Sequence, residues 1–427
     1  MGCNFRARED VKTDRPPLSG EEVPPTEPPE RWAALVVLSI ACLLGMTPWF
    51  SASAVLPRLV EIWDLSPSQG AWLTIAVQLG FVAGALASAL LTLADVIPPR
   101  RLFLLGCLGA AAANALLLVA GGATTAIPLR FATGAFLAAV YPPAMKSMAT
   151  WFRAGRGTAI GVLVGALTIG SATPHLVNGL GGEDWRVVVV TTSILTLLGG
   201  VVAEVAGSEG PFPFPRARFD PRMAGRVMAD RGVRLASFGY FGHMWELYAM
   251  WSWFLVFSGD VLAFHEVADA GRRAAFATFA VIAVGAGGCW LGGRWGDRWG
   301  RTRTTILAMS VSGACALTIG AMVSFPPLLV LAIGLVWGVS VVADSAQFST
   351  AVTEVADQRY VGTALTLQTA IGFTLTVATI WLVPLVRETV GWWGAFAILA
   401  PGPALGVLAM ERLRRSPEAT RIAGGRG

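Results

Sequence analysis

The chain has 427 residues, 54% of them hydrophobic and only 14% charged, and its mean hydropathy is +0.61. A soluble domain carries about 25% charged residues, so these proportions exclude a water-soluble protein and put most of the chain in lipid. The net charge of +5 rests on arginines scattered over the polar breaks, with Lys12 and Lys146 the only lysines, which excludes a basic nucleic-acid-binding face.

Residues 1–31 are polar and carry Pro16, Pro17, Pro24, Pro25, Pro28 and Pro29. Such a segment cannot bury a core and reads as a disordered cytoplasmic tail. It opens Met1-Gly-Cys3, but Arg6 stands where myristoylation requires Ser or Thr. The first apolar run begins at Trp32, so no cleavable signal peptide is expected. Cys42, Cys107, Cys289 and Cys315 lie inside apolar runs without a CxxC pair, and read as buried small hydrophobes.

Twelve apolar stretches follow, at 32–56, 71–93, 102–121, 125–149, 157–179, 185–206, 233–258, 274–293, 304–323, 326–349, 360–384 and 391–411. Each approaches the roughly 20 residues that cross a ~30 Å hydrocarbon core. The expected fold class is an all-α membrane protein of twelve transmembrane helices. Placing residues 1–31 in the cytoplasm leaves only Arg58, Arg130, Arg186, Arg272, Arg273 and Arg387 on or near the opposite side. By the positive-inside rule both termini, 412–427 included, then lie in the cytoplasm of a bacterial inner membrane. Residues 207–232, with Pro211, Pro213, Pro215 and Pro221 among arginines, read as the linker between six-helix halves at 32–206 and 233–411.

Several runs hold polar groups that lipid does not tolerate without a partner or a role. Thr47, Trp49 and Ser51 surround Pro48 in the first run, where the missing donor loosens the helix. The fourth run carries Arg130-x-x-Thr133-Gly134, then Tyr141-Pro-Pro143. Arg130 is either a substrate-facing or proton-linked cation, or a side chain snorkelling to the outer headgroups. Gly80 and Gly84 in the second run, and Gly157, Gly161 and Gly165 in the fifth, make small-residue stripes for close packing. His175 closes the fifth run and reads as interfacial.

The seventh run is the richest, from Tyr240 to Trp253. His243 and Glu246 are three apart, so they share a helix face and can hydrogen-bond; Glu246 is either a proton carrier whose hydrogen-bonding state His243 sets, or part of an interhelical hydrogen bond without a transport role. Tyr240, Trp245 and Tyr248 are candidates to line a cavity for a ring or a cation, whereas Trp251 and Trp253 read as packing and outer belt. In the tenth run Trp337, Asp344 and Gln347 fall close together, and Asp344 is either a site residue or an interfacial carboxylate. No phosphate-binding Gly-Lys-Ser/Thr loop, metal set or nucleophile elbow appears, so neither a cofactor nor enzymatic chemistry is expected.

Between the eighth and ninth runs stands Gly292-Gly-Arg-Trp-Gly-Asp-Arg-Trp-Gly-Arg-Thr-Arg303. It reads as a tight turn at the headgroups, with Asp297 among Arg294, Arg298, Arg301 and Arg303. Its spacing, Gly293-x-x-x-Asp297-Arg298-x-Gly300-Arg301-x-Arg303, resembles the loop signature of the major facilitator superfamily of transporters. The halves repeat in the same sense: Asp95 and Arg101 stand 202 residues before Asp297 and Arg303, and Gly157-Thr-Ala159 matches Gly362-Thr-Ala364. The first-half copy departs from the signature, with Leu91 and Pro98 in place of glycines.

The resemblance implies secondary transport of a small solute by alternating access, driven by a proton gradient through Glu246 or by the solute gradient alone, and carried out by a monomer in the bilayer. It places Arg130, Tyr141, His243, Glu246, Trp337, Asp344 and Gln347 on a cavity walled by helices one, four, seven and ten. It also gives the Asp297 loop the role of a cytoplasmic latch. The Arg130 to Phe152 stretch is similar to permeases of the cyanate and nitrate type. An exporter of metabolites or drugs shares all of these features, and a non-transporting membrane sensor keeps the same fold.

Overall fold

The computed structural model describes residues 28–152, 155–182, 184–212 and 220–427, apart from the side chains of residues 94 and 95. Most of the N-terminal tail 1–31 and the middle of the 207–232 linker therefore lie outside the described residues, as does the side chain of Asp95. The described residues fold into helices joined by short turns. We number the spans α1–α12. The first half holds α1 (Arg31–Gly45, resumed at Leu56–Trp63), α2 (Pro67–Leu90), α3 (Pro99–Ala115), α4 (Ala123–Leu137 and Tyr141–Ala149), α5 (Arg156–Gly181) and α6 (Trp185–Ala206). The second half holds α7 (Arg231–Phe264), α8 (Ala270–Ala283 and Gly285–Trp299), α9 (Arg301–Ile319) and α10 (Pro327–Ala343 and Ser345–Val355). The helix Val361–Ala397 contains a reversal at Gly391, with φ 79° and ψ −172°. It thus carries α11 (361–390) and, with Pro401–Arg414, α12.

Local sequence explains where these helices start. Ser66 and Gln69 form a reciprocal cap on α2, with Pro67 in its first turn. Asp184 accepts from Arg186 N–H at α6, and Asp230 from Val233 N–H at α7. Span boundaries move from the expected ones mainly because helices outrun the apolar runs. Helix α7 reaches Phe264, and α8 continues to Trp299 through the stretch expected to be a turn. The 292–303 segment is therefore not a loop. Its reversal is confined to Gly300, at φ 99° and ψ 150°, a backbone that glycine adopts without strain.

Large apolar side chains such as Val190, Ile194, Leu198 and Val201 of α6 and Leu405 and Leu408 of α12 are exposed, as expected of surfaces that face lipid chains. Small residues set the closest helix approaches. A Cβ built at Gly80 or Gly84 of α2 would lie 2.0 Å from Phe131 O or 2.3 Å from Ala135 O of α4. The α5 stripe packs on the other half: Gly161 meets Cys289 O of α8, and Gly165 meets Ala286. The halves touch along α5 with α8, and along α2 with α11. The four described cysteines in the spans are buried and unpaired.

The C-terminal segment 412–427 is packed rather than free. Ile422 is fully buried, Ala423 N–H donates to Glu354 Oε2 at 3.0 Å, and the Arg426 carbonyl lies over Gly300.

Candidate functional site

In the first half, α1 breaks where Pro48 lacks a donor: residues 46–52 form turns with i to i+3 hydrogen bonds. A broken helix leaves carbonyls that lipid cannot satisfy. Arg130 of α4 satisfies them. Its Nη1 donates to Pro48 O at 3.0 Å, Ser51 Oγ at 3.0 Å and Asn114 Oδ1 at 3.2 Å. Nη2 donates to Trp49 O, and Nε to Leu73 O at 3.2 Å. Asn114 passes the network on to Thr192 Oγ1 and Ser193 Oγ of α6. Arg130 is fully buried, which overturns the snorkelling alternative: the headgroups are out of its reach because the α1 carbonyls engage it first.

In the second half, His243 and Glu246 do not pair with each other. Helices α7 and α10 run antiparallel, so each residue finds its partner at its own level. Glu246 Oε1 accepts from Trp337 Nε1 at 2.7 Å, and Oε2 from Ser312 Oγ of α9 at 2.9 Å. His243 Nδ1 lies 2.9 Å from Asp344 Oδ1, and its Nε2 has no partner among the described residues. Asp344 interrupts α10, and its side chain is 1% exposed, so it is not an interfacial carboxylate. His175 is likewise fully buried rather than interfacial. Trp251 and Trp253 are buried too, so neither belongs to an outer belt, and Trp253 Nε1 donates to Ile380 O of α11 at 2.9 Å.

Gln347 belongs to a third cluster, at the face where both termini lie. Arg301 Nη1 donates to Gln347 Oε1 at 2.9 Å, and its Nε and Nη2 grip Glu354 at 2.9 and 2.8 Å. Asp297 lies 3.5 Å from Arg301 Nη1 and accepts from the N–H and hydroxyl of Thr158, both at 3.2 Å. Thr158 opens α5, so this carboxylate bridges the two halves at a helix N-terminus, where negative charge is favoured. Gly157 makes room for it: a Cβ there would stand 2.4 Å from Asp297 Oδ1. Gly293 sits against Gly157 O and Thr158 of α5 in the same way. Arg298 and Arg303 are exposed and Arg294 lies over the Trp290 ring, so only Arg301 of the four arginines reaches Asp297. Arg101 is 3.9 Å from Glu204, its side chain 65% exposed.

Tyr141 is half-buried at the start of the second α4 segment. The expected sites thus fall into separate clusters rather than one cavity wall. Sequence reasoning missed Ser312, Asn114, Thr158 and Glu354. Glu354 follows Gln347 by seven residues, as Asp344 follows Trp337, so the helical repeat carried that signal.

Six rings close the centre between the halves. Trp49 and Phe50 of α1 and Phe81 of α2 meet Tyr248 and Trp251 of α7 and Phe373 of α11, with centroids 4.7–6.1 Å apart.

Solved structures share this architecture. A bacterial homologue of the human lysosomal transporter Spinster, inward-facing and unoccupied, aligns with a TM-score of 0.65 at 16% identity over 92% of this chain and 100% of its own. A D-xylose–proton symporter aligns at 0.69 and 15% identity over 91% and 99%. Among curated proteins, a puromycin resistance protein of Streptomyces alboniger is 33% identical over 40% of this chain and 35% of its own. The multidrug efflux pump LfrA of Mycolicibacterium smegmatis is 32% identical over 45% and 39%. A probable actinorhodin transporter of Streptomyces coelicolor is 24% identical over 61% and 45%. The chain thus spans less than half the length of these curated relatives. The family model of the Major Facilitator Superfamily matches residues 38–380, most of the twelve-helix body, and the chain belongs to that superfamily.

Proposed function

We propose that the chain is a proton-coupled secondary transporter that exports an organic solute by rocking its two halves about the ring cluster. The face holding residues 31 and 414 is the cytoplasmic one, a reading that the arginine distribution supports. The chain works as a monomer in the inner membrane. Glu246 is the observation that carries this reading. It is enclosed between α7, α9 and α10 and held only by neutral donors. A glutamine would make both hydrogen bonds equally well, so packing gives no reason for an acid at a depth where charge is costly. The reason is the proton it takes and releases. His243 and Asp344 lie one turn nearer the cytoplasm and make the next station on that route.

Export is favoured over uptake because the partial matches include a resistance protein and an efflux pump, and because the central contact is aromatic rather than polar. Asp297 on Thr158 holds the cytoplasmic side shut in this conformation. The test is proteoliposomes bearing a pH-sensitive dye and an imposed pH gradient. Wild type is expected to move protons when solute is added, and Glu246→Gln to keep solute exchange but lose proton movement. Equal proton movement in both proteins removes Glu246 from the mechanism. A cellular phenotype unchanged by both Glu246→Gln and Asp297→Asn would favour the sensor reading.

A further inference from the structure

The central rings leave polar atoms unanswered. Trp49 Nε1, Trp251 Nε1 and both polar atoms of the Gln78 amide are buried without a hydrogen-bond partner among the described residues. Each residue is at most 1% exposed, and buried polar groups are normally paired. They are not scattered. Trp49 touches Phe81, Tyr248 and Phe373, while Trp251 touches Phe50 and Tyr248. Gln78 lies on the face of α2 that holds Thr74 and Phe81, four residues after one and three before the other. Thr74 bonds Ser53 of α1 at 2.6 Å, and Phe81 packs on Trp49 at 5.0 Å. The amide therefore faces the same stretch of α1.

Trp49 meets Tyr248 and Phe373, and Phe50 meets Trp251, across the two halves, so rocking must part these rings. Rings that part lose stacked neighbours that other flat apolar faces can replace. The indole N–H groups need acceptors, and the amide takes either partner. Charge narrows the class further. The guanidinium of Arg130 donates to the carbonyl of Trp49 itself, and no carboxylate among the described residues is bonded to it. Its uncompensated positive charge beside the rings disfavours a cation.

We propose that the ring cluster is the solute site, and that it takes an uncharged planar aromatic compound bearing carbonyl or hydroxyl oxygens. This rests on the transport reading above and names its substrate class. The Trp49 and Trp251 N–H groups and the Gln78 amide meet those oxygens, while Phe81, Tyr248 and Phe373 cover the ring faces.

Equilibrium binding to the full chain in detergent, without any gradient, tests this by quenching of tryptophan fluorescence. The probes are 1,4-dihydroxyanthraquinone, anthracene as the same ring system without oxygens, and tetraphenylphosphonium as an aromatic cation. Saturable quenching by the quinone is expected, with anthracene at least ten-fold weaker and no competition from the cation. Trp49→Phe keeps the ring and the backbone carbonyl that Arg130 holds, but removes the N–H. It should weaken the quinone about ten-fold, 1.4 kcal/mol, and leave anthracene unchanged. Gln78→Leu should do the same, which guards against misfolding of one variant. The substrate class is overturned if the quinone does not saturate, if both variants bind it as wild type does, or if the cation competes equally. A protein that fails here yet moves protons with another solute loses only this site. One that binds the quinone but moves nothing loses only the transport reading.

Discussion

At the scale of single residues, two buried ionisable groups do different work. Arg130 is spent on structure, because its N–H groups all go to protein acceptors on α1, α2 and α3. Arg130→Met takes a donor from the carbonyls of Pro48, Trp49 and Leu73 and from Asn114 Oδ1 at once, and is expected to cost about 3 kcal/mol or more, read as a lower melting temperature in detergent. Glu246 predicts the opposite pattern. Glu246→Gln retains partners for Trp337 and Ser312 and should melt within a degree or two of wild type, whereas Glu246→Ala orphans both and should melt well below it. A melt in which the Gln and Ala variants fall together would mean that the carboxylate itself holds the fold. Asp357, in the turn between α10 and α11, is a control acid. The Arg359 side chain bonded to it holds its carboxyl down at about 2. A depressed folded pKa contributes stability above the unfolded value near 4 and loses it as pH falls toward 2. Asp357→Asn should therefore leave any transport profile between about pH 5 and 8 unshifted. The acids and His243 were legible in the sequence because lipid makes them conspicuous. Which of the named residues pair was not, since that depends on how antiparallel helices align, and three-residue spacing on one helix says nothing of it.

At the scale of helices, the contact of α5 with α8 is the element to break. Glycine stripes were visible along α5, but nothing in the chain told which helix they face; the answer is α8 of the other half. Gly161→Leu puts a side chain where the Cys289 carbonyl now stands 2.6 Å from a built Cβ, so α5 and α8 cannot close at the cytoplasmic side. The variant should fold, since the contact lies between halves rather than within one, and should expose cysteines placed on the cytoplasmic side to a thiol reagent faster than wild type. Labelling at the wild-type rate would show that this contact does not set the resting conformation. The expected turn over 292–303 illustrates the limit of composition. Charge and glycine resemble a loop, yet Gly292 and Gly296 are helical and serve close packing instead: Ala343 O of α10 and the Gln347 side chain occupy the space a Cβ would need. Only Gly300 turns the chain.

At the scale of the molecule, the same-sense repeat has diverged in chemistry while keeping its frame. One half buries an arginine, and the other a glutamate with a histidine–aspartate pair. The twelve spans could be read from hydropathy because the bilayer fixes both length and composition, and the repeat from the matched spacing of Asp95 and Arg101 with Asp297 and Arg303. The division of labour could not, because the same polar residue types serve as staples in one half and as candidate proton sites in the other. The tail on Gly300 also bears on handling. A reporter or affinity tag joined directly at residue 427 starts where the Arg426 carbonyl rests on the Gly300 turn, beside the Arg301–Glu354 grip. Such a fusion either peels the tail away or crowds that turn, and so biases the conformation it is meant to report. A tag at the amino end, or one joined through a long spacer, leaves the contact of Arg426 with Gly300 as it stands.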